Sequence, residues 1–213
     1  MKITRTANAG VLLELDGATI LLDGVCREVK PYPATPPGVK QMLLDNPPDV
    51  VAFTHCHKDH YDPAYAAEYI RQTGRAVLAP EGVRGGSLDM QTVGNVRVLP
   101  VPCRHIGAAG KDTAHTGFVI VGSRCVWFTG DSSPSQWKAR EDLPKPDVLI
   151  VPYAYCNTPS SWAFTKSLGA QVVLLHMPDR AEDTVGLWTA VESAIGADPM
   201  PDTPAIGACI TIP

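Results

Sequence analysis

A cluster of histidines and aspartates in one short segment most constrains what this chain can fold into. His55, His57, Asp59 and His60 fall within six positions, directly after the apolar run Asp49–Thr54. The run predicts a buried strand, and in extended backbone the side chains of His55 and His57 share a face, so both imidazoles can reach one ion. Three of the chain's six histidines lie here. This concentration favours a metal-binding loop over a solvated loop with incidental histidines.

Three further candidate ligands, His105, Asp131 and His176, each lie just past an apolar run that predicts a strand. The three runs are Val96–Val101, Cys125–Thr129 and Val172–Leu175. Because loops at strand ends converge on one edge of a rigid sheet, we expect these side chains to meet the first cluster. Taken singly, each histidine also fits a hydrogen-bonded loop residue, and Asp131 fits a turn residue. Together with the first cluster, the three residues indicate metal ligands.

The rest of the pattern predicts a mixture of strands and helices. The runs Val11–Leu15 and Ala18–Leu22, joined by Asp16-Gly17, predict a β-hairpin. A helix is predicted between the cap residue Asp62 and the stop at Gly74. Further strands are predicted at Ala76–Ala79, Gly117–Val121, Val148–Val151, Gln171–Leu175 and Ile206–Ile212, and further helices at Val39–Asn46, Ser161–Leu168 and Thr184–Ile195. We expect the loops Pro31–Gly38 and Glu81–Gly86 to rim a pocket.

Composition narrows the class of protein. The 213 residues are 45% hydrophobic and 19% charged, which predicts one globular domain over residues 1–213. A net charge of −4 without a basic stripe argues against nucleic acid as a partner. No apolar run reaches the ~18 residues that span a bilayer, and no signal region opens the chain, so we expect a cytoplasmic protein. The six cysteines lack framework spacing, which predicts free thiols.

The motif His55-Cys-His57-Lys-Asp59-His60 resembles the H-x-H-x-D-H signature of the metallo-β-lactamase-fold hydrolases, and the later candidates occur in that superfamily's order. The resemblance implies an α+β protein with a four-layer αββα sandwich, similar to the small ascorbate 6-phosphate lactonase-like branch. It also implies two metal sites. His55, His57 and His105 would form the first, and Asp59, His60 and His176 the second, with Asp131 as the bridge.

The same resemblance implies hydrolytic chemistry with two divalent metal ions. Zinc suits such a ligand set, and manganese, iron or nickel could occupy it depending on supply. Flavodiiron relatives have Glu at the position of His57, which disfavours redox chemistry. Hydroxide generated at the metals would attack a small ester, lactone, amide or phosphodiester, with Asp59 and Asp131 orienting it. A non-catalytic metal sensor or scaffold, and a nuclease of the same superfamily, remain alternatives, and the oligomeric state is open.

Four residues are candidates for support of the site or for substrate contact. Asp23 resembles the buried aspartate that follows the first hairpin in this superfamily and supports the ligand loop, or it is a turn residue. His115 precedes the predicted strand Gly117–Val121 and either faces the substrate or hydrogen-bonds a turn. Tyr153 and Tyr155 line the pocket or pack in the core. Cys56 and Cys103 alternate with the histidines and fit buried thiols better than thiolate ligands.

Overall fold

The structure is a computed structural model that describes residues 1–107 and 110–213. The strands are β1 (Lys2–Arg5), β2 (Val11–Leu15), β3 (Ala18–Leu22), β4 (Val50–Ala52), β5 (Val77–Leu78), β6 (Gly86–Ser87), β7 (Gln91–Val93), β8 (Val96–Arg104), β9 (Ala114–Val121), β10 (Cys125–Phe128), β11 (Val148–Pro152), β12 (Gln171–Leu175) and β13 (Cys209–Thr211). The helices are α1 (Pro37–Asp45), α2 (Pro63–Thr73), α3 (Pro134–Lys138), α4 (Pro159–Ser167) and α5 (Leu187–Ile195).

The strands form two mixed sheets. The first has the order β13-β1-β2-β3-β4-β5-β6, and the second has the order β12-β11-β10-β9-β8-β7. Strands β3 to β6 pair in parallel in the first sheet, as do β10 to β12 in the second. Because β8 is antiparallel to β9, and β9 to β10, the carboxyl ends of β8, β10, β11 and β12 share one edge of their sheet.

Alternating side chains build the layers on either side of each sheet. In β10, Val126 and Phe128 point into the core between the two sheets, whereas Cys125 and Trp127 point to the opposite face. The period of two residues along a strand produces this division. Full burial of such an apolar side chain contributes about 1.5–3 kcal/mol, so the shared core rigidly fixes the two sheets against each other.

Helices cover both outer faces. Tyr65 and Tyr69 of α2 pack with Leu43 of α1 against the first sheet, and Trp162 and Val191 belong to the layer over the second sheet. The helix α2 begins and ends as predicted: the Asp62 carboxylate accepts a hydrogen bond from Ala64 N at 2.9 Å, and Gly74 adopts a left-handed φ of 68°. The predicted α+β class and four-layer αββα sandwich are therefore confirmed.

Several predicted boundaries differ from the structure. The hairpin β2–β3 matches the prediction, with positive φ at Asp16 and Gly17. Strand β9 begins at Ala114, so the prediction that His115 precedes the strand was wrong. The pairing of His115 with Cys103 on β8 extends both strands. The helix predicted from Thr184 begins at Leu187, because the Asp183 carboxylate caps its first turn by accepting from the Leu187 and Trp188 amides.

The structure also bears on the predictions about membrane spans and cysteines. Across the part of the chain that the structure describes, no helix has the length and apolarity needed to cross a membrane. The six cysteines are free thiols, of which Cys26, Cys125 and Cys156 are buried and Cys209 is exposed.

Candidate metal centre

All seven candidate ligands lie at one edge of the sandwich, at the ends of strands or in the loops that follow them. His105 directly follows β8, and His176 directly follows β12. Asp131 comes three residues after β10, and His55 comes three residues after β4. Their ligand atoms fall into three overlapping groups, and within each group all atoms lie within 4.8 Å of one another. The parallel arrangement of the strands therefore brings together residues that are far apart in sequence.

The first group contains the three histidines His55, His57 and His105. The ring of His55 lies 4.5 Å from that of His57 and 4.7 Å from that of His105, centroid to centroid. His55 Nδ1 is 2.9 Å from Thr54 Oγ1, and His105 Nδ1 is 2.7 Å from the carbonyl oxygen of Ile106. A proton on His105 Nδ1 donates to that carbonyl, which leaves the lone pair of Nε2 available to a cation.

The second group contains Asp59, His60 and His176. His176 Nε2 lies 3.2 Å from Asp59 Oδ2, and the rings of His60 and His176 are 5.0 Å apart. His176 has a positive φ of 56°, a region that non-glycine residues rarely adopt. This conformation turns the chain immediately after β12 and is consistent with a functional constraint on the histidine.

Asp131 lies between the two groups. Its Oδ2 is 3.3 Å from His60 Nε2 and 3.7 Å from His105 Nε2, while its Oδ1 is 3.0 Å from His176 Nδ1. One carboxylate thus lies within 3.7 Å of nitrogens from histidines of both groups.

Burial and charge set the protonation of the centre. Burial holds the pKa of His55 well below its usual range, which favours the neutral imidazole that metals bind. Burial opposes the charged form of His60 as well, but the Asp131 and Asp23 carboxylates outweigh it and raise the His60 pKa well above normal. Burial also opposes ionisation of Asp131, yet His176 and His60 hold its pKa well below the usual range. The buried carboxylates thus attract positive charge into the centre.

The arrangement fits divalent cations. The Nε2 atoms of His55, His60, His105 and His176 are buried and make no hydrogen bond of good geometry to any described residue, although those of His60 and His176 lie 3.3 and 3.2 Å from carboxylate oxygens. A buried polar atom without a partner costs about 1–3 kcal/mol, so four such atoms at one place favour a shared ligand. Imidazole nitrogens and carboxylate oxygens at these separations form the donor set that zinc and similar metals prefer.

Comparison with known proteins identifies the family. Residues 2–175 match the family model described as a β-lactamase superfamily domain. The chain belongs to the β-lactamase superfamily. The family predicted from the H-x-H-x-D-H motif is confirmed.

Individual known proteins resemble the chain along much of its length. A UPF0173 metal-dependent hydrolase from Methanosarcina mazei is 26% identical over 172 residues, covering 71% of this chain and 70% of that protein. A possible metal-dependent hydrolase from Veillonella parvula has a TM-score of 0.68 at 15% identity, covering 100% of this chain and 99% of the other. An isothiocyanate hydrolase from Delia radicum gut bacteria has a TM-score of 0.65 at 19% identity, with 99% of each chain covered. The structural likenesses show the shared fold.

Asp23 supports the ligand loop of this superfamily member by binding both Thr54 and His60. Its carboxylate accepts hydrogen bonds from Thr54 N at 2.7 Å and Thr54 Oγ1 at 2.6 Å, and its Oδ2 lies 2.8 Å from His60 Nδ1. Asp23 is fully buried, so these contacts replace its hydration. Thr54 was not predicted as a supporting residue, although its position immediately before the first histidine was a usable signal.

The remaining predicted residues occupy different positions in the superfamily fold. His115 is buried on β9, with its ring 5.1 Å from that of His55 and its Nδ1 3.2 Å from Cys103 Sγ. Tyr153 is half-buried, with its ring 6.1 Å from that of His176. Tyr155 is fully buried in the layer outside the second sheet. Of these three side chains, Tyr153 is therefore the one that is partly exposed near the centre.

Sequence reasoning missed one aromatic side chain beside the centre. The ring of Tyr32 lies 4.4 Å from that of His176, at an interplanar angle of 59°. Tyr32 belongs to the Pro31–Gly38 loop, which was predicted to rim a pocket, but nothing in its sequence neighbourhood distinguished it from the prolines around it. Its proximity to His176 depends on tertiary packing across more than a hundred residues.

Proposed function

We propose that the chain is a single-domain, binuclear metal-dependent hydrolase of small molecules. The observation that supports this most is the convergence of four buried imidazole Nε2 atoms, without hydrogen bonds to described residues, around the carboxylate of Asp131. The curated relatives from Methanosarcina mazei and Methanopyrus kandleri, named metal-dependent hydrolases, support the same reaction class. The expected substrates are small esters, lactones, amides or phosphodiesters.

The proposal assigns the ligands by group. His55, His57 and His105 would hold the first cation, and Asp59, His60 and His176 would hold the second. Asp131, which lies between the two groups, would be a ligand of both cations. Zinc is the expected metal, with manganese, iron and nickel as alternatives for the same ligands. Two divalent cations held there would supply Lewis acidity, which acidifies water and polarises a carbonyl or phosphoryl oxygen.

The chain's own residues would position the reacting water. Asp59 is less buried than Asp131, and its Oδ2 faces His176, so Asp59 Oδ1 can accept the proton of the attacking water. The water oxygen forms the new bond to the carbonyl carbon, the bond to the leaving group breaks, and Asp59 returns the proton to the leaving group. In this scheme no serine or cysteine nucleophile is required.

Metal analysis combined with kinetics tests the proposal. We expect about two ions per chain by mass spectrometry after supplementation with zinc, and fewer in His57→Ala and in His176→Ala. Asp59→Asn should lose about 10²–10⁴-fold in kcat on a hydrolysed substrate, the range for loss of a general base, while retaining the ion assigned to His55, His57 and His105. The panel should include isothiocyanates, because a protein of the same fold is named for them. A metal-loaded protein inactive on every ester, lactone, amide, phosphodiester and isothiocyanate would contradict the proposal.

A further inference from the structure

An open groove lies beside the candidate metal centre. It has a volume of about 270 Å³, and its walls include Glu28, Lys30, Tyr32, Asp179 and Glu182. This volume is close to the lower end of the range for small-molecule sites, about 300 Å³. The groove is therefore large enough for the non-reacting part of a small substrate.

Tyr32 connects the groove to the metal centre. Tyr32 lines the groove, and its ring centroid lies 4.4 Å from that of His176. Asp179 also lines the groove, and it is only three residues beyond His176 in sequence. A molecule lying in the groove would thus extend toward the histidine that we assign to the second cation.

The backbone holds Tyr32 in place. Its amide donates to the Val29 carbonyl at 2.7 Å, and the Val29 amide donates to the Tyr32 carbonyl at 3.0 Å. Such a reciprocal pair fixes the tip of the loop, and the prolines on either side of Tyr32 further restrict it. The backbone that carries the ring is consequently held in position before any substrate arrives, which reduces the entropic cost of binding.

The groove carries more negative than positive charge. Glu28, Asp179 and Glu182 are exposed carboxylates, Lys30 is an exposed ammonium group, and none of the four has an ion-pair partner in the described parts of the chain. A nearby cation, Arg180, is engaged elsewhere: it pairs with Glu192 at 2.7 Å and stacks on Trp188 at 4.1 Å. For a group lying on these walls, away from the cations proposed for the centre, the excess of carboxylates disfavours anions and favours neutral or cationic groups.

We propose that this groove is the substrate subsite of the hydrolase, that Tyr32 forms its wall toward the metals, and that it selects uncharged or cationic acyl compounds over anionic ones. The inference rests on the proposed function and narrows its substrate class. Neutral esters, lactones and amides fit the subsite, whereas substrates with a carboxylate or phosphate on the non-reacting part do not. Tyr32 acts as a specificity-determining residue, and the aromatic face also suits an ammonium group.

A matched pair of esters tests the charge selection. 4-Nitrophenyl hexanoate and mono-4-nitrophenyl adipate share the scissile bond and differ chiefly in a terminal carboxylate. The zinc-loaded protein should favour the neutral ester by about fivefold in kcat/KM at low salt, and the preference should decrease in 0.5 M NaCl because exposed charges are screened. In the Glu28→Lys/Glu182→Lys double variant the ratio should fall by about tenfold or more, with metal content unchanged.

Further variants separate the effect of charges in the groove from the effect of net charge, and test the role of Tyr32. Glu14→Lys/Asp45→Lys makes the same change in net charge at sites outside the groove and should leave the ratio at its original value. Tyr32→Ala should raise KM for both esters more than it lowers kcat, and Tyr32→Phe should restore most of the loss. A ratio that stays the same in the groove variant overturns the subsite while the proposed hydrolase stands. A metal-loaded protein that cleaves neither ester nor any other panel substrate overturns both.

Discussion

The Nδ1 atom of His60 lies 2.8 Å from Oδ2 of Asp23, and both side chains are buried beneath the candidate metal centre. A proton on Nδ1 points the Nε2 lone pair of His60 toward Asp131 and the other ligands. Asp23 also accepts the amide and hydroxyl protons of Thr54, the residue before His55. One carboxylate therefore orients a ligand from each of the two proposed metal sites.

Replacing Asp23 should weaken metal binding without removing a ligand. Asp23→Asn keeps the shape of the side chain and tolerates the positive φ of 45°, but it removes the charge that orients His60. We expect a loss of about 10–100-fold in zinc affinity, measured by competition with a chromophoric chelator. Asp16→Asn is a matched control, since Asp16 also has a positive φ (50°) and lies at the distant hairpin turn. Equal affinity in Asp23→Asn and the native protein would exclude this role.

Gly130 should be intolerant of any side chain. Its φ is 51°, and an added Cβ would lie 2.5 Å from Thr54 Cγ2 and 2.8 Å from His115 Nε2. Gly130→Ala should therefore destabilise the protein by about 2–4 kcal/mol, since overpacking adds to backbone strain. Gly169→Ala provides the control, because Gly169 has a φ of 67° but no atom within 4 Å of an added Cβ. It should cost about 1 kcal/mol from strain alone.

Denaturant unfolding of the metal-free proteins measures the loss in free energy of unfolding for Gly130→Ala and for Gly169→Ala. A difference of less than about 1 kcal/mol between the two glycine variants would mean that the backbone around Gly130 relaxes easily, and the close packing beneath Asp131 would then not be needed for stability.

The sequence predicted the ligands because their signals are local. The spacing of His55, His57 and His60 and the position of Asp131 after an apolar run can both be recognised without a structure. The roles of Tyr32 and His115 could not be predicted in this way. Tyr32 reaches His176 only through tertiary packing, and His115 is part of a strand only because its register places it opposite Cys103. Pairing between strands depends on residues distant in sequence, and propensity alone does not encode it.

Removing metal should lower the stability of the folded protein. An ion that binds only the native state stabilises it by about 2.7 kcal/mol when its free concentration is 100 times its Kd. Dialysis against a chelator should thus decrease the midpoint of thermal unfolding by several degrees, and added zinc should restore it. The His176→Ala variant should show a smaller response to zinc. A midpoint that is the same with and without chelator in the native protein would contradict metal binding at this centre.

Buried thiols should react with alkylating agents in a strongly pH-dependent way. Burial and the nearby Asp147 carboxylate raise the pKa of Cys125 to about 11, and burial raises that of Cys156 to about 12. Only the thiolate reacts, and far below a raised pKa its fraction increases about tenfold per pH unit. Between pH 7 and pH 9 the alkylation rate of Cys125 should thus rise about a hundredfold, whereas exposed Cys209 should be modified first at pH 7.

Mass spectrometry of peptides after timed iodoacetamide treatment measures these rates, and Cys209→Ser removes the fast site as a control. The order of reaction has a physical basis in the fold: Cys125 and Cys156 lie in the layer between the second sheet and its helices, whereas Cys209 lies on the edge strand β13. Alkylation of Cys125 at pH 7 as fast as that of Cys209 would show that this layer opens readily. The helices α3 to α5 would then be less firmly packed on the sheet than the burial of Trp137 and Trp162 indicates.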